Sequence, residues 1–492
     1  MIQDGFRMKK VRKVDSTRRK LVLAGIGAGA TSMLPTWILG GCQSASAAED
    51  ARSADKQETT VALLERIFQS SDNDLMKLVK DAYLQCIVEK IHPPDPPLEH
   101  NWLAPGGNYL AQWLWDTTFV VDLLSILPGQ EKVIREVFQN YWDFQRRWNH
   151  VKPEFMHGMI ANFIAPFDGN QWFPGKQWET FPAFSQAPLL AWGVERVYRR
   201  SEDIELVRQG LRPLEEFHEW YWRERDVTNC GLIGVGSYSG DAQHARFETY
   251  DHEVDLDGLK LTPHPRKNAG PENGAWYGDI LIPANTAYLL LSEASLGRLA
   301  EVAGDVGMAK RRHKRYSAGV EAMRAHMWSE KHGCFLAVQR ESMAQIESPT
   351  VGSFVPLMAK VPTRAQAAKM AKSLESPAWA TPLPIPTVAT TNSNFQSSTF
   401  WRGDTWPAPS FQIASGLMSY GLVSAANRIA DLWVANAIKA GISERYDSLS
   451  GAPLGVGGLG MSATIVTMMI DGLTGKYQLR STLSHWRRKC AS

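Results

Sequence analysis

Apolar residues recur at helical spacing through most of the chain. Between Leu75 and Ile91 they fall at Leu75, Leu78, Val79, Ala82, Tyr83, Cys86 and Ile87, which makes one face of a helix apolar. The same periodicity predicts paired helices over Thr117–Leu127 and Glu131–Arg147, about Pro128-Gly129. A second pair spans Ser185–Arg199 and Ile204–Arg223, and a third Ile282–Gly304 and Gly307–Met327. Thr363–Ser373, Ala408–Tyr420, Val423–Ala440 and Ser462–Thr474 complete the set. Strand-like patches such as Cys334–Arg340 are short and isolated, and long loops rich in Trp, Gly, Pro and Asp separate the helices.

Helical hairpins repeated in this way build either an open solenoid or a closed toroid. A solenoid carries a sequence repeat of fixed period, and none is present. The expectation is therefore an all-α fold, a toroid of helix pairs with its long loops gathered on one face around a pocket. No Pro/Gly/Ser linker divides the stretch 60–482, so it reads as a single domain.

The N-terminus has a different pattern. A basic stretch ends in Thr17-Arg18-Arg19-Lys20, an apolar run follows from Leu21 to Leu39, and then comes Leu39-Gly40-Gly41-Cys42. Basic, apolar and small regions in that order define an export signal. The Arg pair resembles a twin-arginine signal and Leu-Gly-Gly-Cys a bacterial lipobox. That resemblance implies cleavage before Cys42, lipidation of its thiol, and a periplasmic, outer-membrane or cell-surface location. The alternatives are a retained anchor, for which Leu21–Leu39 is barely long enough, and cleavage after Ala45-Ser46-Ala47. Residues 1–42 are thus an export signal and 43–59, small and polar, a flexible tether.

The leader also explains the basic balance. The whole chain has 53 Lys/Arg against 51 Asp/Glu, but without residues 1–41 the remainder carries a net charge of −4. No nucleic-acid partner is implied, and the membrane enters only through the anchor at Cys42. Cys86, Cys230, Cys334 and Cys490 are scattered with no metal-ligand spacing. In a fold this large they are expected as free thiols.

Candidate chemistry concentrates in Phe400-Trp401-Arg402-Gly403-Asp404-Thr405-Trp406-Pro407. Indole faces stack on the apolar face of a sugar ring, and Arg and Asp hydrogen-bond its hydroxyls. Glu444-Arg445-Tyr446-Asp447 follows, and then a Gly-rich run from Gly451 to Gly460. That run lacks the Gly-Lys-Ser/Thr ending of a phosphate loop and instead lets backbone close a pocket beside Glu444. A carbohydrate-processing enzyme is the reading.

The motifs then resemble a family. Gln112-Trp113-Leu114-Trp115-Asp116-Thr117-Thr118-Phe119 looks like the Trp-x-Trp-Asp-Ser/Thr-x-Phe segment of glycoside hydrolase family 63-type enzymes, the trehalase-related group of mannosylglycerate and glucosylglycerate hydrolases. Phe184-Ser185-Gln186-Ala187-Pro188 resembles their Thr-Gln-Pro-Pro helix start, and Pro382–Val388 the loop before the second Trp motif. Phe400–Pro407 resembles Tyr-Trp-Arg-Gly-x-x-Trp-Pro, Glu444–Asp447 resembles Glu-x-Tyr-Asp/Asn, and Gly458–Ala463 resembles Gly-Phe-Gly-Trp-Ser-Ala. The matches keep family order from about residue 108 to 470.

The resemblance implies an (α/α)6 barrel and inverting hydrolysis of an α-glycosidic bond, with no metal or organic cofactor. One carboxyl group protonates the leaving oxygen and a second deprotonates a water. Glu444 maps onto the general base; its bland alternative is an ion pair with Arg445. The acid motif, Glu-Ser/Thr-Gly-x-Asp, meets Phe247-Glu248-Thr249-Tyr250-Asp251-His252-Glu253. Glu248 matches the leading Glu and is placed with the substrate ligands. The strict acid position falls on His252, so the acid is Asp251 with a one-residue deletion, or Glu253.

Trp115, Trp401 and Trp406 are proposed sugar platforms, with core packing as the alternative. Asp116, Arg402 and Asp404 are proposed hydroxyl ligands, with an Arg402–Asp404 salt bridge as the rival. Gln186 is a sugar ligand or a helix cap. Glu253, Asp255 and Asp257 precede Gly258 at alternating spacing, but the twelfth position of an EF-hand would be His264, and His244, His252 and His264 make no zinc spacing. Two other classes stay open: a polysaccharide lyase using Tyr250, His252, His244 and Arg246, and a non-catalytic glycan-binding lipoprotein.

Overall fold

Residues 58–107, 109–151, 156–166, 184–237, 260–263 and 276–481 are described by the computed structural model. Met1–Ala62 and Leu63–Ser492 are separate compact units, and the helices named here belong to the second. In chain order they are α1 (Asn73–Asp81, continued by a π-helical turn over Ala82–Ile87), α2 (Leu114–Leu124), α3 (Glu131–Val151), α4 (Leu190–Ser201), α5 (Ile204–Glu224) and α6 (Pro283–Ala303). α7 (Val306–His326), α8 (Arg364–Leu374), α9 (Pro407–Ser419), α10 (Val423–Ala440) and α11 (Thr464–Ile470) follow.

Burial separates two kinds of helix. Every residue of α2 is buried, and α6 and α9 are buried around nearly their whole circumference. A helix apolar on all sides belongs inside a fold. By contrast, α5, α7 and α10 bury one face only. The inner elements close a ring. α2 packs on α4, α4 on α6, and α6 on the 3-10 turns Val351–Ser353 and Val355–Leu357. The second of those turns packs on α9, α9 packs on α11, and the 3-10 turn Gly460–Ala463 ahead of α11 packs back on α2.

One outer helix separates each inner element from the next along the chain, so the inner elements run the same way and their N-terminal ends share one face. The architecture is the closed toroid expected from the helical pattern and the (α/α)6 barrel that the family resemblance implies. The matched motifs sit at those N-terminal ends. Trp113 caps α2, the Phe184–Pro188 stretch leads into α4, Trp406 caps α9, and Gly460 opens the last turn. Pro407 follows Trp406 in the first turn of α9, where a missing N–H costs nothing.

Two expectations need correction. The second helical pair begins at Leu190 rather than Ser185. Pro188 disfavours helical backbone at Ala187, so residues 184–188 stay outside the helix and carry Gln186. Strands are also not all isolated. β1 (Gln112–Trp113) pairs with β2 (Phe163–Ile164). β3 (Gly234–Ser237), β4 (Leu261–Pro263) and β6 (Val338–Gln339) all pair with the six-residue β5 (Trp276–Leu281), whose Gly and Asp break the apolar alternation that would have marked it. The Cys334–Arg340 patch splits into Cys334–Phe335 and β6.

A buried ionic clamp ties the ring where α11 comes back to α2 and α4. Asp122 of α2 accepts from Arg196 (3.0 and 2.7 Å) and Arg200 (2.5 and 2.9 Å) of α4. Asp471, at the end of α11, takes the same two guanidiniums at 2.7 and 3.3 Å. Burial alone would raise the Asp122 carboxyl, but Arg196 and Arg200 outweigh it and hold the group below its ordinary range. Breaking a buried pair from one side costs about 3–5 kcal/mol, so Asp122→Asn is expected to destabilise the fold by that order in urea unfolding at neutral pH. Because the folded pKa is depressed, the native contribution is full above the unfolded pKa and is lost as pH falls through the folded one. The penalty of the variant should therefore shrink in acid.

Candidate active site

Glu444 lies on β7 (Ser443–Tyr446), which pairs antiparallel with β8 (Pro453–Gly457). Ser443 faces Gly457 but Arg445 faces Leu454, so Gly455 and Val456 together oppose Glu444. This is a β-bulge, a feature that re-aims groups beside it. Gly455 has φ +73°, and a Cβ there would stand 2.1 Å from Oε2 of Glu444. The bulge turns the Val456 N–H onto that oxygen at 3.0 Å, while the Tyr109 hydroxyl donates to Oε1 at 2.8 Å. The carboxylate is 4% exposed and pinned at both oxygens. Each oxygen keeps a further lone pair, which is what a base needs to accept a proton from water.

Tyr109 is the contact of Glu444 that the sequence pattern missed. Its ring packs edge-on against Trp113 at 5.7 Å, beside a small cluster of Ala111, Trp113, Phe163 and Ala165 set apart from the main core. The loop before it fits closely onto β8. A Cβ at Gly107 (φ +60°) would meet the Val456 side chain at 2.6 Å, and Gly460 N–H donates to Pro105 at 2.8 Å. Burial, reinforced by the Glu444 charge, pushes the Tyr109 hydroxyl well above its ordinary range, so it stays a donor. The signal available in sequence was slight: a Gly-Gly pair, then an aromatic four residues before Trp113.

Asp116 lies in the first turn of α2, 8% exposed. Burial chiefly, and the Glu444 charge second, push its carboxyl up to about 7. It thus passes between hydrogen-bond donor and acceptor near neutral pH, as a ligand for sugar hydroxyls can. With the Glu444 charge removed, the Asp116 carboxyl should titrate lower. Carbon-13 NMR of labelled Asp in Glu444→Gln reads this directly, and an unchanged titration would mean that the two carboxylates do not interact.

The tryptophan loop is built differently from expectation. Trp115, Trp401 and Trp406 are all buried. Trp115 meets Phe119 edge-on at 5.1 Å, and Trp401 and Trp406 stack on each other at 4.7 Å. The loop's solvent-facing ring is Phe400, 47% exposed, with the Arg445 guanidinium 5.3 Å above it. Asp404 does not pair with Arg402. One of its oxygens accepts from Trp401 N–H and the Thr387 hydroxyl, the other from the Trp406 indole and Arg445. Burial outweighs those donors and raises its carboxyl to about 6. With both oxygens occupied, Asp404 braces the loop rather than standing open to sugar.

Arg402 donates to the backbone oxygen of Trp401 at 3.4 Å. Gln186 acts as a cap, though for the neighbouring helix: its Oε1 accepts from Trp115 N–H in the first turn of α2 at 2.9 Å. Its amide nitrogen makes no hydrogen bond among the described residues, which leaves a donor for a ligand. Asp251, Glu253 and Glu248 lie outside the described residues, as do His244, Arg246, Tyr250, His252, Asp255, Asp257, Gly258, His264, Cys42 and Cys490. Cys86, Cys230 and Cys334 are free thiols, and burial holds Cys86 and Cys334 up to about 12. Among the described residues no group of three His, Cys, Asp or Glu could hold a metal ion, and no helix is long and apolar enough to cross a membrane.

Comparison with known proteins agrees with this fold. Residues 109–462 match the mannosylglycerate hydrolase MGH1-like glycoside hydrolase domain. Mannosylglycerate hydrolase from Thermus thermophilus is 22% identical over 406 residues, covering 73% of this chain and 94% of the relative. The crystal structure of a GH63 mannosylglycerate hydrolase from Thermus thermophilus in complex with glucose superposes with a TM-score of 0.61 at 19% identity, over 79% of this chain and 98% of that one. Neutral trehalase Nth1 from Saccharomyces cerevisiae gives 0.52 at 16% identity, over 77% and 76%.

Proposed function

This chain belongs to the mannosylglycerate hydrolase MGH1-like glycoside hydrolase family, and from that premise we propose that it cleaves the α-glycosidic bond of a small glycoside with inversion. It is a glycoside hydrolase of the GH63 and trehalase-like kind. Glu444 is the general base. It takes a proton from the water that attacks the anomeric carbon, as the bond to the leaving oxygen breaks and the acid protonates that oxygen. Asp251 is the acid, with Glu253 the other candidate in the same loop. Asp116 and the Gln186 amide hold sugar hydroxyls.

The observation that carries this reading is the seating of Glu444. A buried carboxylate with a bulge built around it, a tyrosine on one oxygen and a backbone N–H on the other, is costly to maintain. It stands at the mouth of the ring, where Asp116 feels its charge. Relatives named as mannosylglycerate hydrolase and trehalase support α-mannosides and α-glucosides as the substrate class, and their hydrolytic names favour hydrolysis over the lyase and glycan-binding alternatives. Lipidation at Cys42 would deliver the enzyme to the periplasm, outer membrane or cell surface.

The acid assignment is tested by turnover of a panel of α-glucosides, α-mannosides and α-linked disaccharides. Asp251→Asn is expected to lose about 10²–10⁴-fold in kcat while Glu253→Gln retains activity. The reverse ranking would move the acid to Glu253, and two active variants would remove it from this loop.

A further inference from the structure

The segments around Glu444 carry an exposed apolar surface that the acid–base chemistry does not use. Phe400 is 47% exposed and Leu449 51%. Their segments are tied together: the Ser448 N–H donates to the Ser397 oxygen at 3.0 Å, and the Ser448 hydroxyl to the Gly403 oxygen at 2.6 Å. Phe400 is also fixed. Its ring stands edge-on to Trp401 at 6.3 Å and to Trp406 at 5.5 Å, and the Arg445 guanidinium lies 5.3 Å from its centre. A rigid aromatic that still faces solvent loses little entropy when a ligand covers it.

The surroundings of that ring specify a ligand without charge. Arg445, the neighbour of the base in sequence, is matched by Asp404 at 3.2 Å and by the Ser398 oxygen at 2.9 Å. Residues 390–399, which lead into Phe400, are all Thr, Asn, Ser or Gln apart from Phe395, in a chain of which 21% is charged. Thr391, Ser393, Asn394, Gln396 and Ser398 of this run are exposed. Hydroxyls and amides both donate and accept, as the hydroxyls of a sugar require. The family motif opens on Tyr where this chain has Phe400, so the ring keeps its face and gives up its hydroxyl. Depth assigns the position. Asp116, 8% exposed in the first turn of α2, lies deeper than Phe400. The sugar under attack sits at the deep end, and the leaving group projects towards solvent.

We propose that Phe400 is the platform for the leaving group, and that this leaving group is an uncharged sugar ring rather than an anionic acid. The substrate is then an α-linked disaccharide. This rests on the glycosidase reading above. The apolar face of the outer sugar covers Phe400, and its hydroxyls meet the Ser, Thr, Asn and Gln side chains of 390–399. Contacts to a part of the substrate that does not react can raise kcat as well as lower KM.

The test gives the full chain three substrates built on one sugar, glucose or mannose, α-linked to a second sugar, to glycerate or to fluoride. The fluoride needs no platform, because its leaving group is a single atom. The native enzyme is expected to show a higher kcat/KM on the disaccharide than on the glycerate glycoside. Phe400→Ala should lower the ratio of kcat/KM for disaccharide over fluoride by about tenfold. Phe400→Leu keeps a side chain against Trp406 but has no flat face. It should lower the ratio in the same direction, and it covers the case in which Phe400→Ala loosens the tryptophan loop. Fluoride turnover with an unchanged ratio, with no disaccharide turnover, or with a native preference for the glycerate glycoside overturns the proposal and leaves the glycosidase reading standing. Turnover of none of the three overturns both.

Discussion

Glu444→Gln is expected to lower kcat by about 10²–10⁴-fold, the ordinary cost of removing a general base, with little change in melting temperature. Gln keeps the shape: its oxygen can accept from the Val456 N–H while its NH2 donates to the Tyr109 hydroxyl, which can turn to accept. What it cannot do is take a proton from water. The native carboxylate receives one donor at each oxygen, at 2.8 and 3.0 Å, so it is ordered before substrate arrives and spends no reorganisation during the reaction. Steady-state kinetics beside a thermal melt separates the two effects. A variant that loses stability and activity together would make Glu444 a packing residue.

Gly455→Ala is expected to reduce activity by about 10²-fold without touching a reacting group, the scale of a 1 Å displacement at a catalytic centre. A Cβ at this position would stand 2.1 Å from Oε2 of Glu444 and 2.9 Å from its carboxyl carbon, and the backbone is left-handed at φ +73°. The carboxylate must move, and with it the bond from Val456. The left-handed conformation adds roughly 1–2 kcal/mol of strain for a residue with a Cβ. The fold should absorb that, because β8 is an exposed edge of a two-stranded ribbon. If Gly455→Ala turns over normally, the bulge is not what positions the base.

These two residues also show what the sequence could and could not say. Glu444 was legible because it sits in a short motif of family order, and the helical pattern carried the toroid of helix pairs because the periodicity of each helix is local. The Gly-rich run was legible in kind, as backbone closing on Glu444, but the bulge at Gly455 was not, since register depends on the partner strand. Tyr109 was out of reach for the same reason: 335 positions separate it from the oxygen it binds.

The ion pairs follow a simpler rule. An Arg445–Glu444 pair and an Arg402–Asp404 pair both looked plausible from adjacency. The structure pairs Arg445 with Asp404 instead, at 3.2 Å. Successive side chains on a strand point to opposite faces, so Arg445 leaves Glu444 on the other side of β7 and reaches the tryptophan loop. That alternation was available from sequence once Glu444–Tyr446 was taken as a strand. The burial of Trp401 and Trp406 was not, because a loop's aromatics can stack on each other as readily as on a ligand.

The most direct test of the whole account is a proton-NMR time course of hydrolysis of an α-mannoside or α-glucoside by the purified enzyme, read before mutarotation. Inverting hydrolysis with Glu444 as base predicts that the first sugar to appear is the β-anomer, and that its signal is absent with Glu444→Gln. An α-anomer appearing first, or an unsaturated product in place of a reducing sugar, would contradict it.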